Sequence, residues 1–191
     1  MDDREFVAET IRESSAVIFS ALAEVDHILK LAQEITLALK AGNKLVTFGN
    51  GGSAADAQHI AAELVGSFYD RSRPGLPALC LNTNVSNLTA IANDFGYTRL
   101  FERQVEAFVK PGDVVLGLST SGNSPNVVLA LELAKRQGAR TAAITGKNPA
   151  TIDRAAALVI KIGSNDTPRI QEATILIGHI VCALVESQFK S

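Results

Sequence analysis

In the stretch Asp113-Val114-Val115-Leu116-Gly117-Leu118-Ser119-Thr120-Ser121-Gly122-Asn123-Ser124-Pro125, a short apolar run gives way to six small polar residues and then to a proline. A run of that length with no helical spacing reads as a strand buried on both faces. Ser124 is a good helix N-cap and Pro125 suits the first helical position, so the strand passes through a tight polar turn into a helix. Upstream, Lys44-Leu45-Val46-Thr47-Phe48 repeats the pattern: an apolar strand, the turn Gly49-Asn50-Gly51-Gly52-Ser53, then a helical run from Ala54 to about Gly66.

Further out, Pro77–Leu81, Thr141–Thr145 (ending at Gly146) and Leu158–Ile162 read as strands. Ser86–Ala92 and Thr98–Phe108 read as helices, and a last helix runs from about Pro168 to Phe189 with Thr167 as its cap. In the first forty residues, apolar side chains from Phe6 to Leu39 recur at helical spacing until Gly42-Asn43 ends the pattern;. Strands alternating with helices through short Gly-rich turns predict an α/β fold: a doubly wound parallel sheet flanked by helices, with residues 1–41 as an N-terminal helical arm. Asp70–Gly75 is the one linker-like piece and is too short to divide the chain, so 1–191 is expected to be a single domain.

Of the 191 residues, 47% are apolar, enough for a sizeable core, and the net charge of −2 predicts no nucleic-acid partner and no membrane surface;. The N-terminus has no basic region followed by an apolar run, so a cytoplasmic protein is expected;. Cys80 and Cys182 lie far apart without metal spacing and read as reduced core residues;.

Both Gly/Ser-rich turns stand at the carboxyl ends of strands, where open parallel sheets bind ligands. Helix starts there offer free amides and a positive dipole end. Gly51 and Gly52 permit close backbone approach, while Ser53, Ser119, Thr120, Ser121 and Ser124 add hydroxyls, so the expected ligand is a phosphate. Neither turn is a nucleotide P-loop, which requires Gly-Lys-Ser/Thr, and Gly49–Ala54 lacks the third glycine of the dinucleotide fingerprint. His59 and Glu63 stand one helical turn apart on one face and can bind a metal or act as a base and its partner. Asp56, on the same face, is placed to orient His59. His179 lies in the apolar last helix, and Gln171 precedes it by about 12 Å along the axis, so spacing alone joins the two only at full reach. Asp94, in a segment that reads as a turn, can bond a sugar hydroxyl or shape the chain;.

Together these residues resemble a known family. Gly49-Asn50-Gly51-Gly52-Ser53 with Asp56, His59 and Glu63 looks like the first signature of phosphoheptose isomerases, which belong to the SIS-domain proteins. Asn93-Asp94-Phe95-Gly96-Tyr97 resembles the second, Ser119–Ser124 the SIS sugar-phosphate loop, and Arg169-Ile170-Gln171-Glu172 with His179 the last. The resemblance implies an SIS-type sandwich, a homotetramer with sites between subunits, and isomerisation of sedoheptulose 7-phosphate. It implies Glu63 as base and His179 as acid, and substrate contacts from Asn50, Gly51, Gly52, Ser53, Glu63, Asn93, Asp94, Ser119, Thr120, Ser121, Ser124 and Gln171. It also implies zinc (Zn2+) on His59, Glu63, Gln171 and His179. Thr174 and Pro168 depart from the family pattern, where many members carry histidine and some carry aspartate. The main rival is a non-catalytic SIS tetramer that binds the bacterial replication initiator; it is expected to lack the glutamate and final histidine present here. An isomerase for another sugar phosphate is the second rival.

Overall fold

The computed structural model describes residues 2–189. Five strands form one parallel sheet in the order β2-β1-β3-β4-β5. They are β1 (Leu45–Gly49), β2 (Ala78–Cys80), β3 (Val114–Ser119), β4 (Arg140–Gly146) and β5 (Leu158–Ile162). Period-two alternation sends Leu45, Val114, Leu116 and Leu118 to one face and Val46, Phe48 and Val115 to the other;. Both faces are covered, so β1 and β3 are buried along their whole length.

On the first face lie α2 (Val25–Lys40), α3 (Gly52–Val65) and α8 (Thr167–Glu186), packed through Ile28, Leu31, Ile35, Ile60, Leu64, Ile170, Ile177 and Val181. On the second lie α5 (Leu100–Phe108), α6 (Pro125–Arg136) and the single turn α7 (Ile152–Ala155). Here Phe101 stacks on Phe48 at 5.0 Å between ring centroids. Alongside stands α4 (Val85–Phe95), which buries none of its residues fully. α8 is long and apolar enough by composition to cross a membrane, but its apolar face packs on the sheet and on α3.

The expected elements are present, with several differences. Residues 1–41 do not form one helix. α1 (Asp3–Ser20) and α2 are separated by a 3-10 turn at Ala21–Glu24. At the break the Ser20 hydroxyl bonds back to the Val17 carbonyl and accepts the Gly163 amide, the kind of local bond that bends helices;. Only α1 is arm-like: it buries no residue completely, whereas α2 is a core helix. Thr167 stands inside α8 rather than capping it, and Asp166 occupies the cap position. Ser124 does sit at the N-cap of α6, but its hydroxyl bonds Ser119 Oγ at 3.0 Å and makes no cap bond. α8 ends at Glu186, so the expected helical stretch to Phe189 is a turn. α7 is an element that periodicity did not reveal.

Candidate active site

From β1 the chain crosses outward to β2, then returns past β1 to β3 and goes on to β4 and β5, so the winding reverses between β1 and β3. At such a reversal the carboxyl ends of the two strands leave a crevice. Here it is a pocket of about 290 Å³ lined by Asn50, Gly51, Gly52, Ser53, Leu118, Ser119, Thr120, Ser124, Thr167 and Gln171. α3 and α6 both start beside it; the Ala54 and Val127 amides bond the cap carbonyls of Gly51 and Ser124 and Pro125 has no N–H, which leaves the Gly52, Ser53 and Asn126 amides without intrahelical partners;. Gly51 has φ of +58°, a conformation glycine adopts without the cost of a Cβ, and this turns the chain from β1 into α3;.

The rim is held by amide side chains. Asn50 and Asn126 exchange two hydrogen bonds of 2.9 Å each. The Tyr97 hydroxyl donates to Asn50 Oδ1 at 2.8 Å. Asn82 donates to the Gly49 carbonyl and accepts from the Gly49 amide, fixing the end of β1. Asn82, Asn126 and Tyr97 were missed by sequence reasoning; only the tyrosine carried a signal, as the last residue of the Asn93–Tyr97 segment.

Of the residues expected to contact substrate, Asn50, Gly51, Gly52, Ser53, Ser119, Thr120, Ser124 and Gln171 are brought together. Ser121 faces an adjoining polar hollow with Thr120, Asn123 and Asn165. Asn93 and Asp94 are exposed at the end of α4 and bond each other at 2.8 Å, so within one chain they do not line the pocket. Thr174 is buried and bonds the Ile170 carbonyl within its own helix, while Pro168 is exposed.

α3 and α8 lie against each other. A Cβ on Gly52 would collide with the Gln171 amide, and one on Gly178 would come within 2.7 Å of Ile60. Farther along, His59 Nε2 lies 2.9 Å from Glu63 Oε1 and 3.3 Å from His179 Nε2. The donor atoms of these three residues fall within 4.8 Å of one another, a group able to hold a metal ion. Two imidazole nitrogens and a carboxylate suit zinc, which takes such ligands and can leave positions open for substrate. The Gln171 amide stands at the Gly52 end of α8 and not beside this trio.

Asp56 is half-buried and one of its oxygens has no partner. Burial pushes its carboxyl up to about 6, with His59 pulling the other way. Among the described residues no hydrogen bond joins the two, so Asp56 does not hold the His59 ring as expected from spacing; the short side chain stays in the part-buried helix face. Cys80 and Cys182 are buried and free, and burial pushes the Cys182 thiol up to about 12. His27 bonds Glu24 at 2.7 Å, away from the site.

The chain matches the SIS domain family model over residues 9–146. It is 51% identical to a phosphoheptose isomerase of Geobacter sp. (strain M21) over 185 residues, 96% of each chain. It is 50% identical to that of Aquifex aeolicus over 95% of each. The solved phosphoheptose isomerase of Neisseria gonorrhoeae superposes with a TM-score of 0.90 at 36% identity, covering 96% of this chain and 98% of that one. That of Francisella tularensis gives 0.94 at 27% identity, covering 98% and 100%. With this end-to-end likeness in sequence and fold, the chain belongs to the phosphoheptose isomerase family of SIS-domain proteins.

Proposed function

We propose that the chain converts sedoheptulose 7-phosphate to D-glycero-D-manno-heptose 7-phosphate through an enediol, the entry to activated heptose. The observation that carries this reading is the pairing of α3 with α8. Gly52 faces Gln171 at the anion pocket, and His59 faces His179 at the far end. Standard helix geometry puts the two ends about 10 to 12 Å apart. A seven-carbon chain with a terminal phosphate is comparable in length when extended, so the phosphate can sit in the cradle while the other end reaches the trio.

The phosphate is held by the hydroxyls of Ser53, Ser119, Thr120 and Ser124 and by the helix-start amides, which orient the sugar before reaction, with Ser121 beside it in the adjoining hollow;. Asn50 and Gln171 bond hydroxyls along its length, and Asn93 and Asp94 reach a site from a neighbouring subunit. Glu63 takes a proton from C1 as the C2 carbonyl oxygen is protonated, giving the enediol. The O1 proton then leaves as C1 becomes a carbonyl, and Glu63 returns its proton to C2. His179 moves the protons at O1 and O2. Zinc on His59, Glu63 and His179 would polarise the substrate oxygens when bound. Gln171 joins that set only by swinging its amide along α8.

The protein acts as a homotetramer in the cytoplasm, with no nucleic-acid or membrane partner, and residues 1–191 form one SIS domain. The test is an assay with sedoheptulose 7-phosphate, with pentose and hexose ketose phosphates as controls, before and after chelation. Formation of the heptose aldose 7-phosphate is expected. Turnover of a shorter ketose phosphate alone would reassign the substrate, and turnover of none would refute the enzyme reading.

A further inference from the structure

The connection between α3 and β2, which contains the linker-like Asp70–Gly75, is pinned by a buried ion pair. Arg73 Nε lies 2.7 Å from Glu186 Oε2, and the two side chains are 0% and 2% exposed. Glu186 also accepts the amides of Phe68, Tyr69 and Asp70 at 2.7 to 2.9 Å. The rest of the Arg73 guanidinium turns to the end of α3. Nη2 donates to the Glu63 carbonyl at 2.7 Å and Nη1 to the Leu64 carbonyl at 2.8 Å.

Glu63 stands in the last turn of α3, which stops at Val65. Carbonyls there lack intrahelical partners, and such ends fray. Arg73 supplies both the donors and a positive charge at the negative end of the helix dipole. The partner carboxylate belongs to α8, seven residues beyond His179. The loop it gathers carries Phe68, whose ring lies 5.5 Å from the His179 ring. One ion pair therefore joins the end of α3 behind Glu63, the loop packed on His179, and the last turn of α8.

We infer that Arg73 and Glu186 are positioning residues for the isomerisation: their clamp fixes Glu63 and His179 relative to each other across α3 and α8. This rests on the roles given above to Glu63 and His179. A clamp serving stability alone would be replaceable by apolar side chains without effect on the site, since such replacement of buried ion pairs is often neutral for folding.

The experiment compares wild type, Arg73→Lys and the double variant Arg73→Met/Glu186→Leu. Lysine keeps the charge but cannot span Glu186 and both carbonyls. Three readouts are taken: folding by circular dichroism and sedimentation, kcat and KM with sedoheptulose 7-phosphate, and ring resonances of ¹³C-labelled histidine at one pH. The chain has three histidines, and His27, on the exposed side of α2 and bonded to Glu24, is an internal control. In the folded double variant kcat is expected to fall about 10- to 100-fold with KM within about threefold, and Arg73→Lys to fall between. The His59 and His179 resonances should move while that of His27 stays. Wild-type kcat with unmoved His59 and His179 resonances in the folded double variant overturns the inference. If that variant does not fold, the same result in Arg73→Lys overturns it. Should wild type not turn over the substrate, the substrate reading falls and the histidine resonances alone decide the clamp.

Discussion

Asp56 gives the site a pH dependence that can be checked apart from catalysis. Its folded carboxyl is raised from 3.8 to about 6 by burial. The protonated form therefore favours the fold below the unfolded value, and that contribution is lost as pH rises through 6. Asp56→Asn should accordingly raise the melting temperature of chelator-treated protein at pH 8 more than at pH 4. The gain is about 1 kcal/mol, allowing for solvent screening of a part-exposed group. Equal effects at both pH values would contradict the burial argument. Glu186 shows the opposite sign. Burial opposes its charge, but the loop amides and Arg73 outweigh that and bring it from 4.5 down to about 2. Its support persists above pH 4.5 and is lost as pH falls toward 2, where Glu186→Gln and wild type should converge in stability. At this scale the cradle residues were legible because glycines and hydroxyls cluster in short turns. The Asn50–Asn126–Tyr97 contacts were not, since they join segments 47 and 76 residues apart with no local pattern.

Two glycines, Gly49 at the end of β1 and Gly52 at the start of α3, separate folding from binding. A Cβ on Gly49 would lie 2.7 Å from the Ser53 carbonyl oxygen, and backbone cannot yield cheaply. Gly49→Ala should cost about 1 to 3 kcal/mol of stability, read by denaturant unfolding. A Cβ on Gly52 meets only the movable Gln171 amide. Gly52→Ala should stay folded and raise KM by about tenfold, the worth of one hydrogen bond. A stable Gly49→Ala or an unfolded Gly52→Ala would undo this distinction. The strands were legible because apolar runs ended in glycine turns, and β5 falls on the expected Leu158–Ile162. The break between α1 and α2 was hidden because the apolar period continues through it, and α7 is too short to show a period.

The described residues leave several large apolar side chains exposed on the N-terminal helices. Phe6, Ile11, Phe19 and Leu22 are 56%, 61%, 71% and 70% exposed, and Ile18, Phe19, Leu22, Val25 and Ile180 line an apolar hollow of about 280 Å³. Surface of this kind marks protein contacts. Sedimentation at micromolar concentration should give a tetramer, and a stable monomer would refute that. The arm's apolar stripe was legible as a face needing cover; what covers it was not, because a helical period marks a face without naming the surface that meets it.

In the proposed mechanism a carbon-bound proton moves through Glu63 at the far end of a site whose near end would take the phosphate. The most direct measurement follows deuterium from D2O into C1 of sedoheptulose 7-phosphate by proton NMR, with wild type and a metal-replete Glu63→Gln variant. Wild type should exchange one C1 proton and deliver deuterium to C2 of the product. The variant should lose exchange along with about a hundredfold to ten-thousandfold of kcat. Exchange at the wild-type rate by the metal-replete variant would contradict the account.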